Sequence, residues 1–226
     1  MQYKIIGGQL PVVVCHLDQG EKIFTESGGM SWMSDGFDMN ANSRGGLLKG
    51  IGRAFAGESI FLTTYTATRN KSEIAFGSSF PGKIIPLELQ AGQSIIIQKN
   101  AFLAAEDSVK LESFFRKKLG AGLFGGEGFI LQKLTGPGTA FVEIDGDIVT
   151  KELAPNEMYK VDQGYIAMFE PNVNFDITTV KGLKNKLLSG EGIFLATLTG
   201  PGKVYLQTMP FSVLADRIIG CIPTNS

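Results

Sequence analysis

Histidine is almost missing from this chain: among 226 residues His16 stands alone, beside two cysteines, Cys15 and Cys221, and one tryptophan, Trp32. A single imidazole cannot assemble a metal site that needs several histidines, and two lone cysteines cannot fill a four-ligand zinc site. No metal or other cofactor is expected. Two cysteines are also too few for a disulfide scaffold, and they suit a reducing compartment. Charge of one sign is missing as well. The 21 Lys and Arg against 22 Asp and Glu leave a formal net charge of −1, so no global field draws in nucleic acid or membrane, and any such contact needs a local patch. Long apolar runs are absent: Val12 to Cys15 is far shorter than a signal-peptide core or the ~20 residues of a spanning helix. The expectation is a soluble, cytoplasmic protein.

What the chain does hold is glycine and phenylalanine, 29 and 16 residues respectively, within a composition that is 43% hydrophobic and 19% charged. That is the profile of a globular chain with many turns around an aromatic interior, and the length suits one compact unit. Internal similarity divides it further. Gly126-Glu127-Gly128-Phe129-Ile130-Leu131, followed by Leu134-Thr135-Gly136-Pro137-Gly138, returns 64 positions later as Gly190 to Leu195 and Leu198 to Gly202, with nine of thirteen positions identical. A more distant copy is Gly57-Glu58-Ser59-Ile60-Phe61-Leu62. The same offset carries Gly82 to Gly146, Glu88-Leu89 to Glu152-Leu153 and Glu106 to Glu170, and a shift of 72 aligns Leu17 and Gly20 with Leu89 and Gly92, which have Leu153 and Asn156 as third members. The expected units are 10–81, 82–145 and 146–209, with a tail at 210–226, in a pseudo-threefold arrangement.

Within the units the pattern favours strands. Val142 and Ile144 alternate with Glu143 and Asp145, which reads as a half-buried strand with its acids toward solvent, although Phe141 falls on the acidic side. Ile95 to Ile97 is a short continuous apolar run, consistent with a strand buried on both faces. Gly136-Pro137-Gly138 supplies the fixed and positive φ values of a tight turn. The expected fold is all-β, a β-sandwich or double-stranded β-helix-like arrangement of three repeats. One short helix is expected in the tail, with Ser212 as N-cap, Val213, Leu214, Ile218 and Ile219 as its apolar members, Gly220 as its stop, and packing against the sheets.

Catalysis finds little to work with. Cys15 and His16 are neighbours, so on one strand they point to opposite faces and do not form a nucleophile and base pair; Cys15 is expected in the core and His16 in solvent. The recurring Glu58, Glu127 and Glu191 could converge as a carboxylate cluster, or each could accept backbone N–H bonds in a turn before an apolar strand. Gly120 to Gly128 lacks the Gly-Lys-Ser/Thr ending of a phosphate loop and leads toward a strand. Met30, Trp32, Met33 and Met39 around Gly36 read as core or edge packing, or as an adaptable partner surface.

The most informative pattern is local charge. Arg44, Lys49 and Arg53 precede the first Gly-Glu; Arg116, Lys117 and Lys118 precede the second; Lys181, Lys184 and Lys186 precede the third. No Asp or Glu lies within any trio, and Leu47, Leu48, Ile51, Phe55, Leu119, Leu123 and Phe124 interleave with or follow the first two. Such segments suit a basic and apolar face for an anionic membrane surface or a protein partner; the alternative is solvated loops whose apolar members reach back into the core. The expected function is a non-enzymatic binding or scaffold protein, and a homo-oligomer is expected, since exposed strand edges or apolar loops suit self-assembly into a closed ring. The alternative is a small-molecule or nucleic-acid binding module using clefts between repeats.

Ser43-Arg44-Gly45-Gly46 through Ala56 to Phe61, together with Gly122 to Gly128 and the Leu-Thr-Gly-Pro-Gly pair, resembles a bacterial and archaeal family related to the mitochondrial altered-inheritance (mitochondrial biogenesis) protein of fungi. The resemblance covers nearly the whole chain. It implies a β-sandwich similar to that of the tryptophan RNA-binding attenuation protein, tripled within one chain, and no settled activity. The fungal relative's link to inner-membrane organisation suits a membrane-surface or scaffold role, but no targeting segment is expected in this chain and the link does not transfer to it. The attenuation protein's tryptophan pocket and RNA-contacting motif find no counterpart in these residues, so RNA binding is implied by analogy of fold alone.

Overall fold

The computed structural model describes residues 1–26, 28–43, 61–117, 128–179 and 194–222, with only the backbone at 42, 43, 61, 116, 117, 178, 179 and 194. The described chain is mostly strand. The first third holds β1 (Gln2–Ile6), β2 (Val12–Leu17), β3 (Lys22–Glu26), β4 (Trp32–Met33), β5 (Phe37–Ser43), β6 (Phe61–Ala67) and β7 (Ser72–Gly77). The middle holds β8 (Gly82–Leu89), β9 (Ser94–Gln98), β10 (Phe102–Glu106), β11 (Lys110–Lys117), β12 (Phe129–Thr135) and β13 (Gly138–Asp145). The last third holds β14 (Ile148–Leu153), β15 (Met158–Asp162), β16 (Ile166–Phe169), β17 (Asn174–Thr179), β18 (Phe194–Thr199) and β19 (Gly202–Gln207), before the α-helix α1 (Phe211–Cys221). As expected, the fold is all-β with a short C-terminal helix.

Among the described residues all strand pairings are antiparallel, in four sheets ordered β1-β2-β7-β4, β5-β6-β3-β10-β13-β8, β11-β12-β9-β16-β19-β14 and β15-β18-β17, and these sheets do not close into a barrel. The register recurs along the chain. Leu89 faces Gly138 and Ile84 faces Glu143 across β8 and β13; 64 residues on, Leu153 faces Gly202 and Ile148 faces Gln207 across β14 and β19. A bulge after Phe102 in the β10–β13 pair has its counterpart after Ile166 in the β16–β19 pair. Glu106 accepts the Thr139 N–H at 2.7 Å and Glu170 accepts the Lys203 N–H at 2.9 Å, again 64 residues apart.

Turn chemistry explains some of this recurrence. Gly20 and Gly92 sit at φ 88° and 80°, and the equivalent Asn156 sits at 64°, in the left-handed region that asparagine tolerates better than other side chains. The Gly136-Pro137 and Gly200-Pro201 peptides are both cis, and a Cβ on Gly136 or Gly200 would stand 2.5 or 2.4 Å from a backbone carbonyl oxygen.

Three hydrophobic cores lie in succession between the four sheets. Cys15, Leu17, Ile74 and Phe76 of the first sheet meet Ile23, Tyr65, Leu103 and Phe141 of the second. The second sheet's opposite face, with Phe24, Phe102 and Val142, meets Ile95, Ile97 and Leu134 of the third. The third sheet's other face, with Ile96, Phe129 and Phe169, meets Ile177, Ala196 and Leu198 of the fourth. The two central sheets are therefore covered on both faces. This is why Ile95 to Ile97 forms an uninterrupted apolar run: alternate residues feed different cores, and each buried isoleucine contributes ~1.5 to 3 kcal/mol relative to exposure.

The same double burial corrects the reading of β13. Its inner residues are all buried, including Glu143, because the acidic face carries Phe141 into the first core. The methionine cluster divides: Met30 and Met33 pack against the first core, whereas Trp32 and Met39 are exposed. The helix departs from expectation too. It begins at Phe211 behind Pro210, with no side-chain cap from Ser212, and it runs through Gly220 to Cys221. The Phe211 N–H is instead served by the Asp145 carboxylate at 2.8 Å, a partner far away in sequence. No helical residue is buried; Phe211 makes an edge contact with the Phe80 ring, while Ile218 and Ile219 remain exposed.

Candidate functional site

Most of the expected basic face lies outside the described residues: Arg44, Lys49, Arg53, Lys118, Lys181, Lys184 and Lys186, with Glu58, Glu127 and Glu191. Arg116 and Lys117 end β11, where their backbones pair with Ile130 and Phe129 of β12. The strands on either side of each basic segment are described, and in every case they pair with each other: β5 with β6, β11 with β12, and β17 with β18.

Cys15 and His16 fall as alternation predicts. Cys15 is fully buried, and burial pushes its thiol up to about 12, so it is no nucleophile at neutral pH, while His16 on the opposite face is exposed. Among the described residues, no three His, Cys, Asp or Glu side chains gather closely enough to hold a metal ion.

The site with converging polar groups is a cleft of about 510 Å³ between the end of β13, the turns after β7 and β9, and α1. Its floor carries Glu143, only 7% exposed. One Glu143 oxygen accepts from the Ser79 N–H at 2.7 Å and the Ser78 hydroxyl at 2.9 Å, and the other accepts from the Ser79 hydroxyl at 2.9 Å. Desolvation raises the Glu143 pKa above its ordinary value, and these three donors partly offset the rise. Asp145 lies beside it, also raised by desolvation and partly restored by the Phe211 N–H. Gln207 braces the floor by donating to the Gly164 carbonyl at 2.7 Å and accepting the Asp145 N–H at 3.1 Å. Phe80, Phe211 and Ile219 supply apolar wall. Sequence reasoning missed this site because it placed Glu143 and Asp145 in solvent; Phe141 on their own face was the signal that the face is covered.

A layered all-β chain with no helix, among the described residues, long and apolar enough to cross a membrane defines the class of protein. The family described as Mitochondrial biogenesis AIM24 matches residues 3–209, and the chain belongs to that family. It is similar to an uncharacterised protein of Streptococcus pyogenes serotype M6, 28% identical over 226 residues, a match covering 96% of this chain and 89% of the relative. A crystal structure of a Streptococcus pyogenes protein shares its fold with TM-score 0.77 at 22% identity, covering 98% of this chain and 99% of that one.

Proposed function

We propose that the chain is a non-enzymatic scaffold that assembles with further copies of itself and presents its three basic segments to an anionic surface. The observation that supports assembly best is a pair of matching half-sheets. Each central sheet joins three strands of one unit to three of the next, through β3 with β10 and through β9 with β16. The outer sheets are the two unmatched halves: among the described residues, β15 is an open edge of one and β4 of the other. An open edge presents unpaired backbone donors and acceptors that another chain can complete.

Both edges carry large exposed side chains of the kind enriched at interfaces, Trp32 on β4 and Met158 and Tyr159 on β15. The shortness of β4 is no obstacle, since the internal junctions rest on register pairs as few as Ala105 with Phe24 and Glu106 with Ile23. The recurring offsets set the register: Phe169 faces Ile96 and Ala105 faces Phe24, so Met33 of one copy faces Lys160 of the next. The free thiols Cys15 and Cys221 suit a cytoplasmic setting for such an assembly.

In a Cys221→Ser background, Met33→Cys combined with Lys160→Cys is expected to join separate chains through a short bis-maleimide, giving a ladder of multiples of 24.3 kDa on a denaturing gel. A link formed only within one chain would mean that the half-sheets meet in a closed monomer, and no link at all would remove the register; either result overturns the assembly.

The anionic surface is supported by the position of the basic segments, each spanning an antiparallel strand pair in a chain with no net positive charge. Co-sedimentation with vesicles containing phosphatidylserine is expected to exceed that with neutral vesicles and to weaken with salt. Replacing Arg116, Lys117 and Lys118 together by Ala is expected to reduce it on the order of a hundredfold, at ~1 kcal/mol for each basic residue near an acidic membrane. Equal binding by the variant, or retention of single-stranded RNA and not of vesicles, would overturn the membrane reading.

A further inference from the structure

We infer that the cleft beneath α1 is a binding site for a small organic cation, an ammonium group carried on an apolar body. Three carboxylate residues, Glu143, Asp145 and Asp216, line it, and none of the described residues lining it is Lys, Arg or His. Glu143 and Asp145 are two residues apart on β13, so they project to one face of the strand and into one volume. The same cleft is lined by two aromatic rings, Phe80 and Phe211, held edge to face at 5.8 Å between centroids. Carboxylates beside aromatic faces form the environment that attracts a desolvated ammonium, through charge and through the ring quadrupole. An anionic ligand would meet like charge from these carboxylates, and a wholly apolar one would desolvate them further with no compensating positive charge.

The volume fits the inference. About 510 Å³ lies within the range of small-molecule sites and holds a benzyl or hexyl chain with its head group. The acids are anchored before any ligand arrives: Glu143 by Ser78 and Ser79, and Asp145 by the Phe211 N–H and, through its own backbone, by Gln207. A preorganised floor spares a ligand the cost of ordering it. Because Asp145 holds the first turn of α1, the helix that roofs the cleft is fastened to the same strand that supplies the charge.

The probes are benzyltrimethylammonium and hexylammonium, compared with hexanoate and hexanol, in calorimetric titrations of the full chain. The two ammonium ions are expected to bind, hexanol weakly and hexanoate not at all. Glu143→Gln with Asp145→Asn keeps acceptors for Ser79 and for the Phe211 N–H but removes charge, and is expected to lower ammonium affinity at least tenfold. Ala215→Trp, on the helix face lining the cleft, fills the volume from a position that is not in the core and is expected to abolish binding with an unchanged circular dichroism spectrum. Hexanoate bound as well as hexylammonium, ammonium binding that survives both variants, or no binding of either ammonium ion by the wild type would each overturn the inference.

Discussion

Gly82→Ala is expected to lower the melting temperature of the chain by roughly 10 °C, whereas Gly8→Ala leaves it nearly unchanged. Gly82 opens β8 opposite Asp145, at the end of an eight-pair ladder with β13. A Cβ built there falls on the Ile144 carbonyl oxygen and lies 2.9 Å from the Gly146 nitrogen. Both obstacles are backbone, so no rotamer change relieves them. Gly82 also donates its N–H to the Gln9 carbonyl at 2.7 Å, and Gly146 donates to the Pro81 carbonyl at 2.8 Å, so the ladder end is held from both sides and cannot slide away. Overpacking of this kind costs ~3 kcal/mol, and each kcal/mol shifts the melting point of a chain this long by ~2 to 4 °C. Gly8 has no atom within 4 Å of the added methyl group. Thermal unfolding of the two variants side by side decides the matter: equal melting points would mean that β8 and β13 do not meet in this register.

How far the sequence discloses its structure depends on whether the deciding partner is local. Alternation put Cys15 inside and His16 outside because a strand's two faces are set by its own backbone. The run Ile95 to Ile97 was legible because a strand between two cores needs apolar residues on both sides. Gly20, Gly92 and Asn156 align because one left-handed turn residue is needed at each position, a requirement met within a few residues. Glu143 was read as solvent-facing because its partners, Ser78 and Ser79, lie 64 and more residues earlier, and no local pattern encodes them. The start of α1 was misplaced for the same reason: Ser212 is a good local cap, but Asp145 reaches the Phe211 N–H from another strand and fixes the boundary two residues earlier. The cleft follows from these two long-range contacts, so it was invisible until both were known.

Glu143→Ala is expected to destabilise the chain by ~2 kcal/mol at pH 7, and Glu143→Gln by much less, with the difference between glutamine and wild type changing with pH. Alanine removes the acceptor of the Ser79 N–H and of two hydroxyls, and unpaired buried donors cost ~1 to 3 kcal/mol. Glutamine keeps a carbonyl oxygen for Ser78 and the Ser79 N–H, and its amide donates to the Ser79 hydroxyl once that hydroxyl turns to accept. The pH dependence follows from burial. Desolvation holds the folded-state pKa of Glu143 above the ordinary 4.5, so the folded state binds this proton more tightly than the unfolded state does. The resulting stabilisation is complete below pH 4.5 and is lost as pH rises through the raised folded value. Glutamine has no such proton to lose. Its stability relative to wild type therefore rises between the two pKa values and then levels. Repulsion by the Asp145 carboxylate, which the glutamine variant does not feel at this position, raises Glu143 further and adds to the difference in the same direction. Urea unfolding of wild type and Glu143→Gln from pH 4 to pH 8 measures this difference directly, and a flat or falling profile would show that Glu143 is solvated in the folded chain.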